Sequence, residues 1–233
     1  MLMRIVLTMK VGAILFMAPP CSTWIFLSRG STRRSEADPA GKSASSDKAN
    51  ILVMRMCYLI VLACSHGVRV VVEQPSSSLL WEFDCMAKII DHFKFMRVDA
   101  DMRAYVAPSK KALTFVGNLP GMEALAARTD SDDKKRIKLE QESGAEQLTI
   151  AEVGTDGKTR TSGTTGLKGS AAYPQSFGSA FAMIFHAHYE PMYVLAQPAP
   201  TREQIQLLRT DFDIDDGECL ADFSAWKHRE AST

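Results

Sequence analysis

The stretch Gly12-Ala-Ile-Leu-Phe-Met-Ala-Pro-Pro-Cys21 places seven consecutive non-polar residues before two prolines and a cysteine. A short apolar run without polar alternation predicts a strand that is covered on both faces, as in α/β proteins. Proline cannot donate a ladder hydrogen bond, so we expect the strand to end there and to leave Cys21 at the edge of a sheet. A cysteine in that position is either a small core residue or a nucleophile.

A second buried strand is predicted at Val68–Glu73, V-R-V-V-V-E, and an almost wholly apolar helix from about Ser46 to Ser65 lies between the two strands. Gly67 is expected to follow the helix end. Strand, helix and strand over this length predict a βαβ unit with parallel strands. Because the carboxyl ends of parallel neighbours open into one crevice, Glu73 is expected beside Cys21. A buried cysteine and a solvated glutamate remain the alternative.

Three further elements are predicted before residue 128. Apolar residues recur at helical spacing over Ser77–Phe93, and strand patterns lie near Phe95–Asp99 and Leu113–Gly117. Together with the βαβ unit, they predict an α/β domain with a mostly parallel sheet.

The composition changes after this domain. We expect a core at 1–128, a charged linker with a hairpin at 129–170, and an irregular helical extension at 171–233. Asp156-Gly157 is the hairpin's turn signal. Within the extension, a helix is predicted to begin after Pro174.

The charge balance, the cysteines and the N-terminal sequence argue against several classes of protein. Lys and Arg total 27 residues, and Asp and Glu also total 27, so the formal net charge is zero. No overall positive charge therefore indicates a nucleic-acid partner, and any contact with nucleic acid must come from local basic patches. The five cysteines form no C-x-x-C pair, which argues against disulfides and structural zinc, and no metal is expected. Lys10 splits the apolar N-terminus and no cleavage site follows it, so we expect neither secretion nor a membrane partner, and a nuclear or cytoplasmic location.

Three sequence blocks resemble the cytosine-C5 DNA methyltransferases. Pro-Pro-Cys at 19–21 with Asp-Pro-Ala-Gly at 38–41 is similar to that family's Pro-Pro-Cys and Asp-Pro-Arg-Gly block. Val-Val-Val-Glu-Gln at 70–74 is similar to its segment ending in Glu-Asn-Val. The stretch 98–117, V-D-A-D-M-R-A-Y-V-A-P-S-K-K-A-L-T-F-V-G, resembles its Pro-Gln-x-Arg-x-Arg block. The blocks keep the family's order over about 105 residues, and they also resemble an uncharacterised methyltransferase-like group.

The resemblance implies a Rossmann-like fold of the S-adenosylmethionine methyltransferase type. It implies that the Cys21 thiolate adds to C6 of a flipped cytosine in DNA, that Glu73 protonates or hydrogen-bonds N3, and that C5 then takes the methyl group of S-adenosylmethionine. It further implies five basic residues that contact phosphates or the base, namely Arg29, Arg33, Arg34, Lys110 and Lys111.

The chain also departs from the family's pattern. Glu-Asn-Val is replaced by Glu73-Gln74-Pro75, and the sequence contains no Phe-x-Gly-x-Gly cofactor loop. We therefore expect a truncated or degenerate member that lacks the first strands of the sheet, with a cofactor half supplied from before Met1. The alternative is a non-catalytic binding or scaffold domain. The oligomeric state and the choice between DNA and RNA stay open.

Overall fold

The computed structural model describes residues 2–107, 111–127, 149–157, 159–163 and 172–188. Within these ranges the helices are α1 (Leu2–Thr8), α2 (Arg29–Thr32), α3 (Ala44–Ser65), α4 (Asp84–His92) and α5 (Gln175–His188). The strands are β1 (Ile14–Met17), β2 (Arg69–Pro75), β3 (Met96–Asp101), β4 (Ala112–Gly117), β5 (Thr149–Val153) and β6 (Thr159–Gly163). Single turns of 3₁₀ helix lie at Phe26–Ser28, Leu79–Glu82, Met102–Tyr105 and Met122–Leu125.

The main sheet has the strand order β1-β2-β4-β3. β1 and β2 are parallel, with Ile14 opposite Arg69, as the βαβ prediction requires. β4 is antiparallel to both β2 and β3, so the sheet is mixed and the prediction of a mostly parallel sheet was wrong. The connection from β3 to β4 spans only residues 102–111, and parallel strands need a crossover of about a dozen residues or more.

Helices cover both faces of β2, which explains its continuous run of valines. Val70 and Val72 point into a core formed mainly with α3 and α4. Val71 points into a second core, to which α5 contributes Phe177 and Ile184. This alternation follows from the two-residue period of a strand.

α3 begins and ends with side-chain and backbone caps. The Ser43 hydroxyl accepts a hydrogen bond from the Ser46 amide, and the Ser46 hydroxyl accepts one from the Ser43 amide, which makes a capping box. Gly67, at φ +73°, follows the C-cap His66, as predicted. By length and composition, α3 is the one helix of the described residues that could cross a membrane. Its residues from Val53 to Ala63 supply much of the core, whereas Ile51 and Leu52 are exposed.

The backbone approaches itself closely where β4 ends. A Cβ atom placed on Gly117 would lie 1.9 Å from the carbonyl oxygen of Val70 on β2. No side chain fits at that distance, so this pairing requires glycine.

The C-terminal part of the described chain contains the predicted hairpin and helix. β5 and β6 pair antiparallel around Asp156-Gly157, and α5 begins directly after Pro174. α5 packs on the main sheet and completes its second core. The predicted charged linker at 129–148 and the extension beyond 188 lie outside the described residues.

Candidate functional site

The parallel pairing of β1 and β2 brings the ends of both strands to one edge of the sheet. Gln74 ties these ends together, because its side-chain amide donates a hydrogen bond to the Pro19 carbonyl and accepts one from the Ser78 hydroxyl at 3.1 Å. The Cys21 carbonyl in turn accepts from the Trp24 amide at 2.9 Å. Gln74, a departure from the family pattern, thus fixes the Pro-Pro-Cys segment next to β2.

Glu73 is buried at this edge, with only 6% of its surface exposed. Its Oε2 atom accepts a hydrogen bond from the Tyr173 hydroxyl at 2.7 Å. Its Oε1 atom is also buried, and it has no hydrogen-bond partner in the part of the chain that the structure describes. Burial raises the pKa of Glu73, while the Tyr173 hydrogen bond and the Lys111 ammonium oppose that rise.

Cys21 is partly buried and electrostatically coupled to the same carboxylate. Burial and the negative charge of Glu73 raise the pKa of the Cys21 thiol, and Lys111 lowers it. We call the group of Cys21, Glu73, Lys111 and Tyr173 the thiol–carboxyl site. It combines a nucleophile, an acid, a cation and a hydroxyl donor from four separate segments.

Tyr173 belongs to an aromatic wall behind this site, formed by Phe16, Phe115, Tyr173 and Phe177. The Tyr173 ring lies edge-on to Phe16 at 6.2 Å and stacks on Phe177 at 5.4 Å. The Lys111 ammonium lies 5.8 Å from the Tyr173 ring centroid. Burial and the nearby Glu73 carboxylate raise the pKa of Tyr173, so its hydroxyl remains a hydrogen-bond donor at neutral pH.

Sequence reasoning did not assign Tyr173 to the site. It lies 100 residues from Glu73 along the chain. The signal that pointed toward it is the stretch 171–182, A-A-Y-P-Q-S-F-G-S-A-F-A, which only faintly resembles the methyltransferases' last helix.

The other basic residues predicted to contact nucleic acid occupy different environments. Arg33 is exposed at the end of α2, in the left-handed region at φ 58°. Arg29 is partly exposed, with its guanidinium carbon 5.6 Å from the Phe26 ring centroid. Lys111 lies at the thiol–carboxyl site, and Lys110 lies outside the described residues.

Arg34 is the exception, because only 3% of it is exposed. Its guanidinium donates hydrogen bonds to four acceptors, namely the carbonyls of Pro39, Ala40 and Ser46 and the side-chain oxygen of Asn50. It also lies 3.5 Å above the Trp24 ring. Burial lowers the pKa of Arg34 to about 10, so it stays charged at neutral pH. Arg34 thus binds the loop at 35–43 to α3 and is enclosed by the protein, which corrects its predicted place on a phosphate-binding surface.

A cavity of about 480 Å³ lies beside β1 and α5. Its walls are apolar apart from Lys10, and include Ile14, Phe16, Phe181 and Phe185. S-adenosylmethionine carries ribose hydroxyls and a cationic ammonium, which require acceptors, and no acidic residue lines this cavity. The lining of this cavity therefore lacks the acidic acceptors that S-adenosylmethionine needs. Nor do the described residues bring together three or more His, Cys, Asp or Glu side chains that could hold a metal ion.

Comparison with known proteins adds no relative to this description. No protein-family model matches the chain, and no curated protein matches it significantly. The resemblance to the cytosine-C5 methyltransferases therefore depends on the three sequence blocks alone.

Proposed function

We propose that the thiol–carboxyl site acts on a cytosine ring, with Cys21 as the nucleophile and Glu73 as the proton donor, in a DNA cytosine-C5 methyltransferase-like protein. The observation that carries the proposal is that Cys21, in the loop after β1, lies within electrostatic range of Glu73, which is near the end of the parallel neighbour β2. The Glu73 Oε1 atom adds to it, because it is buried without a hydrogen-bond partner among the described residues and is therefore available to a ligand or a water molecule.

During thiolate addition, electron pairs shift around the cytosine ring from C6 to N3. The Cys21 thiolate forms a bond to C6, the C5=C6 electron pair moves to C4–C5, and the C4=N3 pair moves to N3. N3 then takes a proton from Glu73, so no negative charge builds on the ring. The product is an enamine whose C5 accepts an electrophile. A water molecule then removes the original C5 proton, the C5–H electron pair re-forms the C5=C6 double bond, and the thiolate is expelled from C6. N3 returns its proton to Glu73, which restores the aromatic ring.

Two features of the site support these roles. Burial raises the pKa of Glu73 and so brings the carboxyl group nearer to the protonated form that a donor needs. The positive charge of Lys111 favours the Cys21 thiolate. The Cys21 thiolate can reach C6 of a cytosine only when that base has left the stack. The aromatic wall provides apolar surface behind the site.

The wider fold relationship and the methyl transfer are part of the same proposal. The strand order β1-β2-β4-β3, with a βαβ unit at one end, is compatible with half of a Rossmann-like sheet. Because no acidic residue lines the cavity beside β1, we assign the S-adenosylmethionine site to a segment supplied separately. A DNA substrate would place the protein in the nucleus or cytoplasm.

Hydrogen exchange at cytosine C5 tests the covalent step without any cofactor. The chain is incubated with a single-stranded DNA oligonucleotide deuterated at cytosine C5, with an RNA oligonucleotide as a second arm, and deuterium loss is followed by mass spectrometry. We expect exchange that Cys21→Ser abolishes and that Glu73→Gln slows by about 10²-fold or more. Cys64→Ser, another partly buried thiol, is the matched control and should exchange normally.

Absence of exchange by the unaltered chain, or equal exchange by Cys21→Ser, would overturn the proposal. The methyl transfer has its own test, in a form that carries the cofactor segment. DNA containing 5-fluorocytosine, together with S-adenosylmethionine, should then trap a covalent adduct that Cys21→Ser abolishes.

One observation favours a second candidate, a non-catalytic binding or scaffold domain. Burial and Glu73 both raise the pKa of Cys21, so the thiolate fraction at neutral pH is lower than that of an ordinary cysteine. The exchange experiment separates the two functions. Oligonucleotide binding that Cys21→Ser leaves intact, in the absence of exchange, would identify the binding domain.

A further inference from the structure

We propose that Tyr173 is a positioning residue, whose hydroxyl holds the Glu73 carboxyl group so that Oε1 alone faces a ligand. This inference takes the proposed thiol–carboxyl chemistry as its premise. It assigns to the Tyr173 hydroxyl a role that is separate from the place of its ring in the aromatic wall, because the hydroxyl acts through Glu73.

The geometry defines which oxygen is held and which is presented. The Tyr173 hydroxyl lies 2.7 Å from Oε2 and occupies it as a donor. Oε1 is equally enclosed but has no partner among the described residues. A carboxyl group held at one oxygen has a fixed plane, so the direction in which Oε1 can donate or accept is fixed as well.

The Tyr173 ring is itself held in place. Phe16 meets it edge-on and Phe177 stacks against it, and these contacts restrict its rotation although 37% of Tyr173 is exposed. Phe177 and Ile184 anchor α5 in the second core, and the Ser176 hydroxyl donates to the Tyr105 carbonyl. The packing of α5 on the sheet therefore determines where the hydroxyl of Tyr173 lies.

Three titratable groups face Glu73, each from a different element. Cys21 comes from the loop after β1, Lys111 from the residue before β4, and Tyr173 from the turn before α5. Burial favours the neutral carboxyl, whereas the Tyr173 hydroxyl and the Lys111 cation favour the ionised one. Tyr173 thus counteracts burial as well as orienting the group, and this leaves Glu73 able both to give up and to regain a proton.

The test is a titration of Glu73 by carbon-13 NMR of the labelled glutamate carboxyls, with the Glu73 signal assigned through Glu73→Gln. Tyr173→Phe removes the hydroxyl and keeps the ring. We expect it to increase the proton affinity of Glu73 about tenfold, because a hydrogen bond to the ionised form is lost. Tyr173→Leu removes the ring as well and should shift the titration in the same direction.

Tyr105→Phe is the matched control. It also removes a hydroxyl from a ring that packs on Phe177, but that hydroxyl donates to the Leu125 carbonyl at 3.0 Å. We expect the Glu73 titration to be unchanged in this variant. A Tyr173→Phe titration that matches the unaltered chain, or a Tyr105→Phe shift of equal size, would overturn the inference.

The outcome is separable from that of the proposed function. If C5 exchange fails while Tyr173→Phe shifts the Glu73 titration, the cytosine chemistry is refuted and the positioning of Glu73 stands. If exchange occurs and Tyr173→Phe alters neither its pH profile nor the titration, the chemistry stands and the role of Tyr173 is refuted.

Discussion

Replacing Arg34 with methionine distinguishes a structural arginine from one that binds phosphate. The substitution keeps an unbranched side chain above Trp24 but removes every donor that Arg34 directs at the loop and α3. If Arg34 holds this loop, the protein loses stability. If its main role were to contact nucleic acid, stability would barely change.

The magnitude follows from the contacts of the guanidinium. Each hydrogen bond from a charged donor contributes about 1.5–3 kcal/mol, and a desolvated cation–π contact contributes about 2 kcal/mol. These contributions are not additive, and water can reach the partly exposed carbonyls of Pro39 and Ala40 once the guanidinium is gone. We therefore expect a net loss of about 3 kcal/mol in the free energy of unfolding, which is well below the sum of these contributions.

The assay is thermal unfolding at pH 7, followed by circular dichroism. A loss of about 3 kcal/mol should lower the Tm by roughly 6–12 °C in a domain of this size. Arg33→Met, at the exposed neighbouring position, is the control and should stay within about 0.5 kcal/mol of the unaltered chain. Equal Tm values for the two variants would refute the structural reading of Arg34.

Three further predictions concern the site and the sheet. Because folding raises the pKa of Glu73 above the ordinary value of 4.5, the folded state binds this proton more tightly, and stability falls as the pH rises through the folded pKa. Glu73→Gln should therefore raise the Tm at pH 7 and have little effect below about pH 4; an unchanged Tm at both pH values would contradict this. Lys111→Met should slow alkylation of Cys21 by iodoacetamide at pH 8 about two- to fivefold, and Glu73→Gln should accelerate it. Peptide mapping measures both rates, and the opposite order would refute the effects that Lys111 and Glu73 are said to have on the Cys21 pKa. Gly117→Ala should destabilise the sheet by about 4 kcal/mol or more, because the new Cβ would meet the Val70 carbonyl. Cooperative unfolding at an unaltered Tm would contradict this, since it would show that β2 and β4 can separate at no cost.

The features that the sequence predicts correctly depend on local signals. Two apolar runs that end at prolines identify β1 and β2, and Gly67 identifies the end of the helix between them. Asp156-Gly157 identifies the turn of the β5–β6 hairpin. Each of these signals acts within a few residues of the element that it predicts, so it can be read without knowledge of the fold.

What the sequence does not predict depends on long-range contacts. The apolar pattern of Ala112–Gly117 is the same whichever way the strand runs, so the antiparallel direction of β4 leaves no mark on it. Arg34 has the same sequence surroundings as the exposed Arg33, yet it is enclosed because its guanidinium meets Asn50 on α3. Tyr173 reaches Glu73 only because α5 packs on the sheet.

Glu73 and Gln74 are consecutive residues of β2 that serve opposite sides of the sheet. Glu73 follows Val71 by two positions and reaches Tyr173 on the α5 side, whereas Gln74 hydrogen-bonds the Pro19 carbonyl and Ser78. Strand geometry gives each residue its side by position alone. Loss or gain of one residue within β2 before these positions would therefore place Glu73 and Gln74 on the wrong faces of the sheet. Glu73 would leave the thiol–carboxyl site, and the Pro-Pro-Cys segment would lose its hydrogen bond to Gln74. The length of this strand is thus as strict a requirement of the site as the identity of its residues.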